Sequence, residues 1–168
     1  QPSRGDALRL MAIINFRLER FDAAAADFRD LLESGQYRMD ALYYLGRIAD
    51  ERNEYRDAIR YYSQVTSGGN AVSAQSRVAG ILVEEDESEK ALEHLDYFAK
   101  VNPNHAVDML RARAQLLTRL ERYDEALELY DQIIDYRPLN EGAFLGRAEL
   151  LLRMDRRDDA IDQYRAAV

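Results

Sequence analysis

The sequence predicts an all-α protein, a solenoid of about five helix-turn-helix units, and three observations predict it. One pattern returns five times along the 168 residues: a small alanine, three residues, an aromatic or leucine, two residues, an apolar residue. It reads Ala24/Phe28/Leu31, Ala58/Tyr62/Val65, Ala91/Leu95/Phe98, Ala126/Tyr130/Ile133 and Ala160/Tyr164/Ala167, and successive alanines lie 34, 33, 35 and 34 residues apart. If that alanine is the twentieth residue of each unit, the fourth is bulky (Leu8, Leu42, Leu110, Phe144) and the eighth is small (Ala12, Gly46, Ala79, Ala114, Ala148). Proline stands at the thirty-second place in Pro103 and Pro138. A fixed period of this length marks a stacked-repeat architecture.

Taken in order, residues 1–4 close a preceding unit, and the five units are 5–38, 39–71, 72–106, 107–140 and 141–168, the last of them truncated. Two helices joined by a tight turn must approach to about 8–10 Å between axes. Small side chains at the eighth and twentieth places allow that approach. The large residues four and seven positions further on share a helical face and interlock with the next unit. Proline ends the second helix because it lacks the hydrogen-bond donor that continuation needs. A single unit cannot bury its apolar face, so stability comes from stacking. Two places depart from the pattern: Gln75 stands where a bulky fourth residue is expected, and Asn70 stands where proline is expected.

Over essentially its full length the chain resembles the tetratricopeptide repeat family, most closely in the stretch RYDEALELYDQIIDYRP at 122–138. The resemblance implies a right-handed superhelical solenoid. First helices would line its concave face, with the second, fifth, ninth, twelfth and thirteenth residues of each unit turned into the groove. These include Arg9, Phe16, Arg17, Tyr43, Arg47, Arg111, Arg119, Glu149 and Arg153. With the neighbouring Arg77, the groove set balances its charges and leaves the whole net −8 on the rest of the chain. Aromatic and Arg side chains dominate binding hot spots. The expected partner contacts are therefore Arg9, Phe16, Tyr43, Arg47, Arg77, Arg111 and Arg119. The alternative for Tyr44 is packing against a neighbouring helix. Some family members grip a chaperone's C-terminal carboxylate with a Lys/Asn/Asn/Lys/Arg clamp. The corresponding residues here are Arg9, Ile13, Tyr44, Ser73 and Arg77, and only two of them match in chemistry, which argues against that clamp.

The composition narrows the function classes. Without cysteine there is no disulfide, thiolate metal site or Cys nucleophile. A net charge of −8 repels a phosphate backbone, which disfavours nucleic acid; a helical-repeat RNA binder would want a basic groove. All basic residues except Lys90 and Lys100 are arginine. Only His94 and His105 are available, and neither lies in a metal-binding spacing. The acid run at 84–89 lacks the alternating ligands and central glycine of a calcium loop. Ser67-Gly68-Gly69-Asn70 belongs to no phosphate-binding motif. No catalysis, cofactor or metal is expected, and no apolar run is long enough to span a bilayer.

The expected function is a non-catalytic scaffold or adaptor that binds a protein or peptide in the concave groove. A structural spacer that self-associates through exposed end faces is the alternative. Pro2 falls at the thirty-second place of a preceding unit and Val168 falls inside a second helix, so the sequence reads as a piece of a longer array. The segments 43–69 and 77–96 resemble long proteobacterial repeat proteins, several of which are exported and lipid-anchored at the outer membrane. That resemblance implies a periplasm-facing parent, with a cytoplasmic one as the alternative.

Overall fold

The computed structural model describes residues 3–166. Pro2, Ala167 and Val168, on which the readings of a preceding and a truncated unit rest, lie outside the described residues. Among the described residues the fold is all-helical. Its ten α-helices are α1 (Arg4–Arg17), α2 (Phe21–Glu33), α3 (Arg38–Glu51), α4 (Tyr55–Tyr62), α5 (Ala71–Glu84), α6 (Ser88–Val101), α7 (Ala106–Arg119), α8 (Tyr123–Tyr136), α9 (Glu141–Arg153) and α10 (Arg157–Ala166). A 3-10 turn, Pro103–His105, precedes α7. No helix is long and apolar enough to cross a membrane. The helices divide into two compact units, one ending at Ala91 and one beginning at Leu92, with α6 running across the division.

In the first unit α1 packs on α2, α2 on α3, α3 on α4 and α4 on α5; in the second, α7 packs on α8, α8 on α9 and α9 on α10. The small residues sit where the helices cross. Ala24, Ala58, Ala91, Ala126 and Ala160 are fully buried, as are Ala12, Ala114 and Ala148. Gly46 is the tightest of these sites in the first unit. A Cβ added there would lie 2.7 Å from the ring of Tyr62, so this crossing admits no side chain unless the ring moves.

Each first helix ends in the same way. Glu19, Asn53, Asp86, Glu121 and Asp155 adopt left-handed backbone conformations at φ 57–62° and recur at the intervals of the alanines. In each turn the amide of that residue and the amide after it reach back to helix carbonyls. Examples are Asn53 N to Asp50 O at 2.9 Å with Glu54 N to Ala49 O at 2.8 Å, and Arg122 N to Leu117 O at 2.9 Å. This double closure is the Schellman motif, which usually takes glycine at the left-handed position. Here it is built five times from polar residues, so nothing in the glycine content announces it.

The two departures from the repeat pattern act together. α4 spans only eight residues and ends at Tyr62, leaving helix carbonyls to be satisfied. Gln75 is fully buried, and its amide donates to Tyr62 O at 3.0 Å and Val65 O at 2.8 Å. The side chain that breaks the apolar pattern thus caps the shortened helix. Asn70, in place of proline, donates to Asp40 Oδ1 at 3.2 Å and ties the loop before α5 to the start of α3.

Candidate functional site

The arginines of the first unit's first helices fall into two groups. Arg9 Nε meets Asp40 Oδ2 at 2.6 Å, and its guanidinium lies 5.0 Å from the Tyr37 ring centroid. Tyr37 donates its hydroxyl to Asp6, and that hydrogen bond is the main reason the Asp6 carboxyl sits below its ordinary range. Arg77 grips Asp50 with two bonds, Nε to Oδ2 at 2.6 Å and Nη2 to Oδ1 at 2.8 Å, and reaches Glu84 at 2.7 Å. Those bonds, to Asp50 first, hold it still more firmly protonated than an ordinary guanidinium. Arg9 and Arg77 therefore tie successive first helices together. Arg17 and Arg47 have no carboxylate within ion-pair distance among the described residues.

Arg47 is held by aromatic rings instead. Its guanidinium carbon lies 4.4 Å from the Phe16 centroid and 6.0 Å from those of Tyr43 and Tyr44. Cation–π contacts of this kind contribute about 0.5–2 kcal/mol. Beneath them Tyr44 stacks on Phe28 with centroids 4.8 Å apart and rings 3° from parallel, while Phe16 meets Tyr44 edge-on at 5.2 Å. Phe16, Phe21, Arg17, Glu19, Arg47 and Glu51 line an open cleft of about 320 Å³ between α1 and α3.

The second unit repeats the cleft at the same register. Gln115, Thr118 and Arg119 of α7 and Gly146, Glu149, Leu150 and Arg153 of α9 line a cleft of about 280 Å³, with Tyr130 of α8 at its floor. Arg119 and Arg153 are exposed and have no carboxylate within ion-pair distance among the described residues. Gly146 stands where α3 carries Tyr44, and a Cβ there would lie 2.6 Å from the Tyr130 ring and hydroxyl. The Tyr130 ring thus takes the space a side chain there would need, and burial pushes the tyrosine's pKa above the ordinary value. Thr118 adds no free donor, since its hydroxyl already bonds Ala114 O at 2.8 Å.

The structure sorts the seven expected contact residues. Arg47 and Arg119 line the clefts with their guanidinium groups unpaired. Phe16 lines a cleft but is only 8% exposed, so it serves as floor and core at once and offers a partner little area. Tyr43 is half-buried and packs against Tyr62 at 6.0 Å. Arg9 and Arg77 are engaged as described, and Arg111 pairs with Asp108 at 2.9 Å within its own helix. Tyr44 is half-buried and packs against Phe28 of the neighbouring α2, as its alternative reading had it. Arg153, Glu149 and Arg17 were mapped to groove positions without being singled out, and Tyr130 and Gly146 were missed. The register could have found Gly146, the one small residue among Leu10, Tyr44, Arg77, Ala112 and Gly146 that faces a tyrosine at the preceding unit's twenty-fourth place.

Family models described as tetratricopeptide repeat match residues 9–71 and 81–140, and a second such model matches 117–168. A TPR repeat-containing protein of Pseudomonas aeruginosa is 25% identical over 101 residues, which cover 60% of this chain and 17% of that relative. The chain thus spans under a fifth of that relative's length. Among solved structures, MamA superposes with a TM-score of 0.63 at 18% identity, covering 99% of this chain and 94% of that one. Yeast Tom70 gives 0.71 at 23% over 95% and 35%. A thermophilic TPR protein of Thermus thermophilus gives 0.60 at 22% over 97% and 89%. At these identities the likeness is one of fold.

Proposed function

The chain belongs to the tetratricopeptide repeat family, and we propose that it is a non-catalytic adaptor that holds a segment of a protein partner in the groove lined by its first helices. Proteins of this family mediate protein–protein interaction. The observation that carries the reading is the recurrence of one cleft in both units, each holding two guanidinium groups that form no ion pair among the described residues. Free arginine donors beside apolar or aromatic walls suit a partner segment with acidic side chains or exposed backbone carbonyls. Arg17 and Arg47 grip at one cleft, and Arg119 and Arg153 at the other. Arg9, Arg77 and Arg111 set the surrounding surface rather than the grip.

The test is capture on the immobilised chain. Arg47→Glu and Arg119→Glu are compared with Arg29→Glu, which changes an exposed arginine of α2 outside both clefts. Proteins retained from a source-cell lysate are identified, and each is then titrated in purified form. Each cleft variant is expected to weaken binding at least about tenfold, with Arg29→Glu near wild type. Equal loss across all three moves the site to the second helices. Salt-dependent binding of single-stranded RNA would replace the proposal with the RNA reading. Placement in an exported, membrane-anchored parent is the finer part of the proposal. It rests on the resemblance of segments 43–69 and 77–96 alone, and fractionating cells that express the parent tests it.

A further inference from the structure

Arg111 is engaged less fully than Arg9 and Arg77, and the register shows why. In the first unit Arg9, at the fifth place of its repeat, bonds Asp40 at the second place of the next, Nε to Oδ2 at 2.6 Å. In the second unit the same two places hold Arg111 and Gly142. A Cβ on that glycine would lie 2.7 Å from Arg111 Nη1, so the guanidinium lies over bare backbone where the first unit has a carboxylate. Its ion pair is with Asp108 of its own helix, Nη2 to Oδ1 at 2.9 Å, with the two side chains 38 and 41% exposed. Pairs so exposed hold weakly, because water competes for both groups. Arg111 Nε and Nη1 have no acceptor among the described residues.

Arg119 stands two turns further along α7 with Gln115 between, so the three side chains form one stripe at four-residue steps beside α8 and α9. Eight residues of helix separate the two arginines by about 12 Å. Arg119 is exposed and forms no ion pair among the described residues, and neither does Glu149, the one carboxylate lining its cleft. In a chain of net charge −8 this stripe is short of acceptors, not of donors. An extended segment turns alternate side chains to one face and advances about 3.3 Å per residue, so residues four apart stand about 13 Å from each other on the same side. We propose, resting on the groove reading above, that the α7 stripe takes an extended partner segment with acidic side chains four residues apart. One carboxylate is gripped by Arg119 in the cleft. The other meets Arg111 over Gly142, on the surface beside the cleft, and fills the place that Asp40 fills in the first unit. A carboxylate suits these sites better than a backbone carbonyl, because it brings charge and a second oxygen to the guanidinium fork. Arg119 thus supplies the grip and Arg111 selects the spacing.

The probe is a twelve-residue peptide of serine, alanine and threonine, blocked at both ends, with glutamates at its fifth and ninth places. One control peptide carries the two glutamates side by side, and another carries glutamine at both places. Titration of the whole chain, followed by NMR, is expected to show the spaced peptide binding at least about fivefold tighter than either control. Arg111→Gln should bring the spaced peptide down to the level of the adjacent one, Arg119→Gln should weaken both, and Arg29→Gln on α2 should change neither. Spaced and adjacent glutamates that bind alike overturn the proposal. So does a preference that survives Arg111→Gln, or a spaced peptide that does not bind at millimolar concentration. Capture of a lysate partner separates this inference from the reading it rests on. Dependence of that partner on Arg47 and Arg119, with no spacing preference among the peptides, keeps the groove reading and overturns this one. Independence from both arginines overturns the groove reading itself.

Discussion

The clefts of the two units occupy one register and differ in what stands at each place. In the first, the twelfth residue of the leading repeat is Phe16, the sixth of the following repeat is Tyr44, and the cavity floor is a stack of rings on which Arg47 rests. In the second, the same places hold Thr118 and Gly146, and the buried Tyr130 lies against that glycine at the floor. The first cleft is walled by two arginines and two glutamates, the second by two arginines and one glutamate. The register decides where a cleft opens. The residues at four or five places decide whether it is an aromatic shelf or a polar pocket.

If the aromatic shelf is also core, truncating it must damage folding, while the polar pocket should tolerate change. Phe16→Ala removes a side chain packed against Phe21, Tyr44 and Arg47 and is expected to destabilise by about 3–5 kcal/mol in chemical denaturation. Thr118→Ala, its counterpart, removes one hydroxyl bond to its own helix and should change stability by about 1 kcal/mol or less. Similar effects from both would mean that the clefts differ in lining only and not in structural role.

Much of this was legible from the period alone. The alanines that define it are fully buried, and Pro103 and Pro138 stand just past the ends of α6 and α8. The groove positions implied by resemblance brought the cleft arginines into view. What stayed hidden was the pairing state of each arginine, because it depends on a residue about one period away. Arg9 and Asp40 are 31 positions apart and Arg77 and Asp50 are 27 apart, so neither pair shares a helix. The burial of Phe16 stayed hidden for a related reason. A groove position says which way a side chain starts out, but the guanidinium of Arg47 lies across it and closes it from solvent. The left-handed turns gave no signal either, since glycine, their usual mark, is absent from all five.

Gln75 sharpens the contrast between the units from another side. At the fourth place the second unit carries Leu110 and Phe144, whereas the first carries Leu42 and then this buried amide. Gln75→Leu would restore the repeat pattern and would be stabilising if the pattern alone governed. The structure predicts the opposite. The Val65 carbonyl would lose its buried donor, Tyr62 O would keep only Val65 N at 2.9 Å, and leaving a buried acceptor unsatisfied costs about 1–3 kcal/mol. Thermal denaturation of the variant decides the point, and a raised Tm would show that α4 finds another cap.

The smallest expected difference concerns pH. Both histidines lie in the second unit, and His94 on α6 has its pKa lowered from 6.5 because burial disfavours the imidazolium. Above pH 6.5 the ring is neutral folded or unfolded, so it adds no pH dependence there. As pH falls below 6.5 the unfolded chain takes up the proton before the folded one does. The unfolded state gains, and stability is lost until the pH drops below the folded pKa. Between pH 7 and about 5 most carboxylates remain ionised, so this histidine should account for much of the slope. Tm measured across that window should fall for the wild type and fall less for His94→Gln. Hydrogen exchange should place the loss in the helices from α6 onward and leave α1 to α4 unchanged. Parallel slopes in the two proteins would assign the acid sensitivity to the carboxylates held below their ordinary range, Asp6 in the first unit and Glu125 in the second.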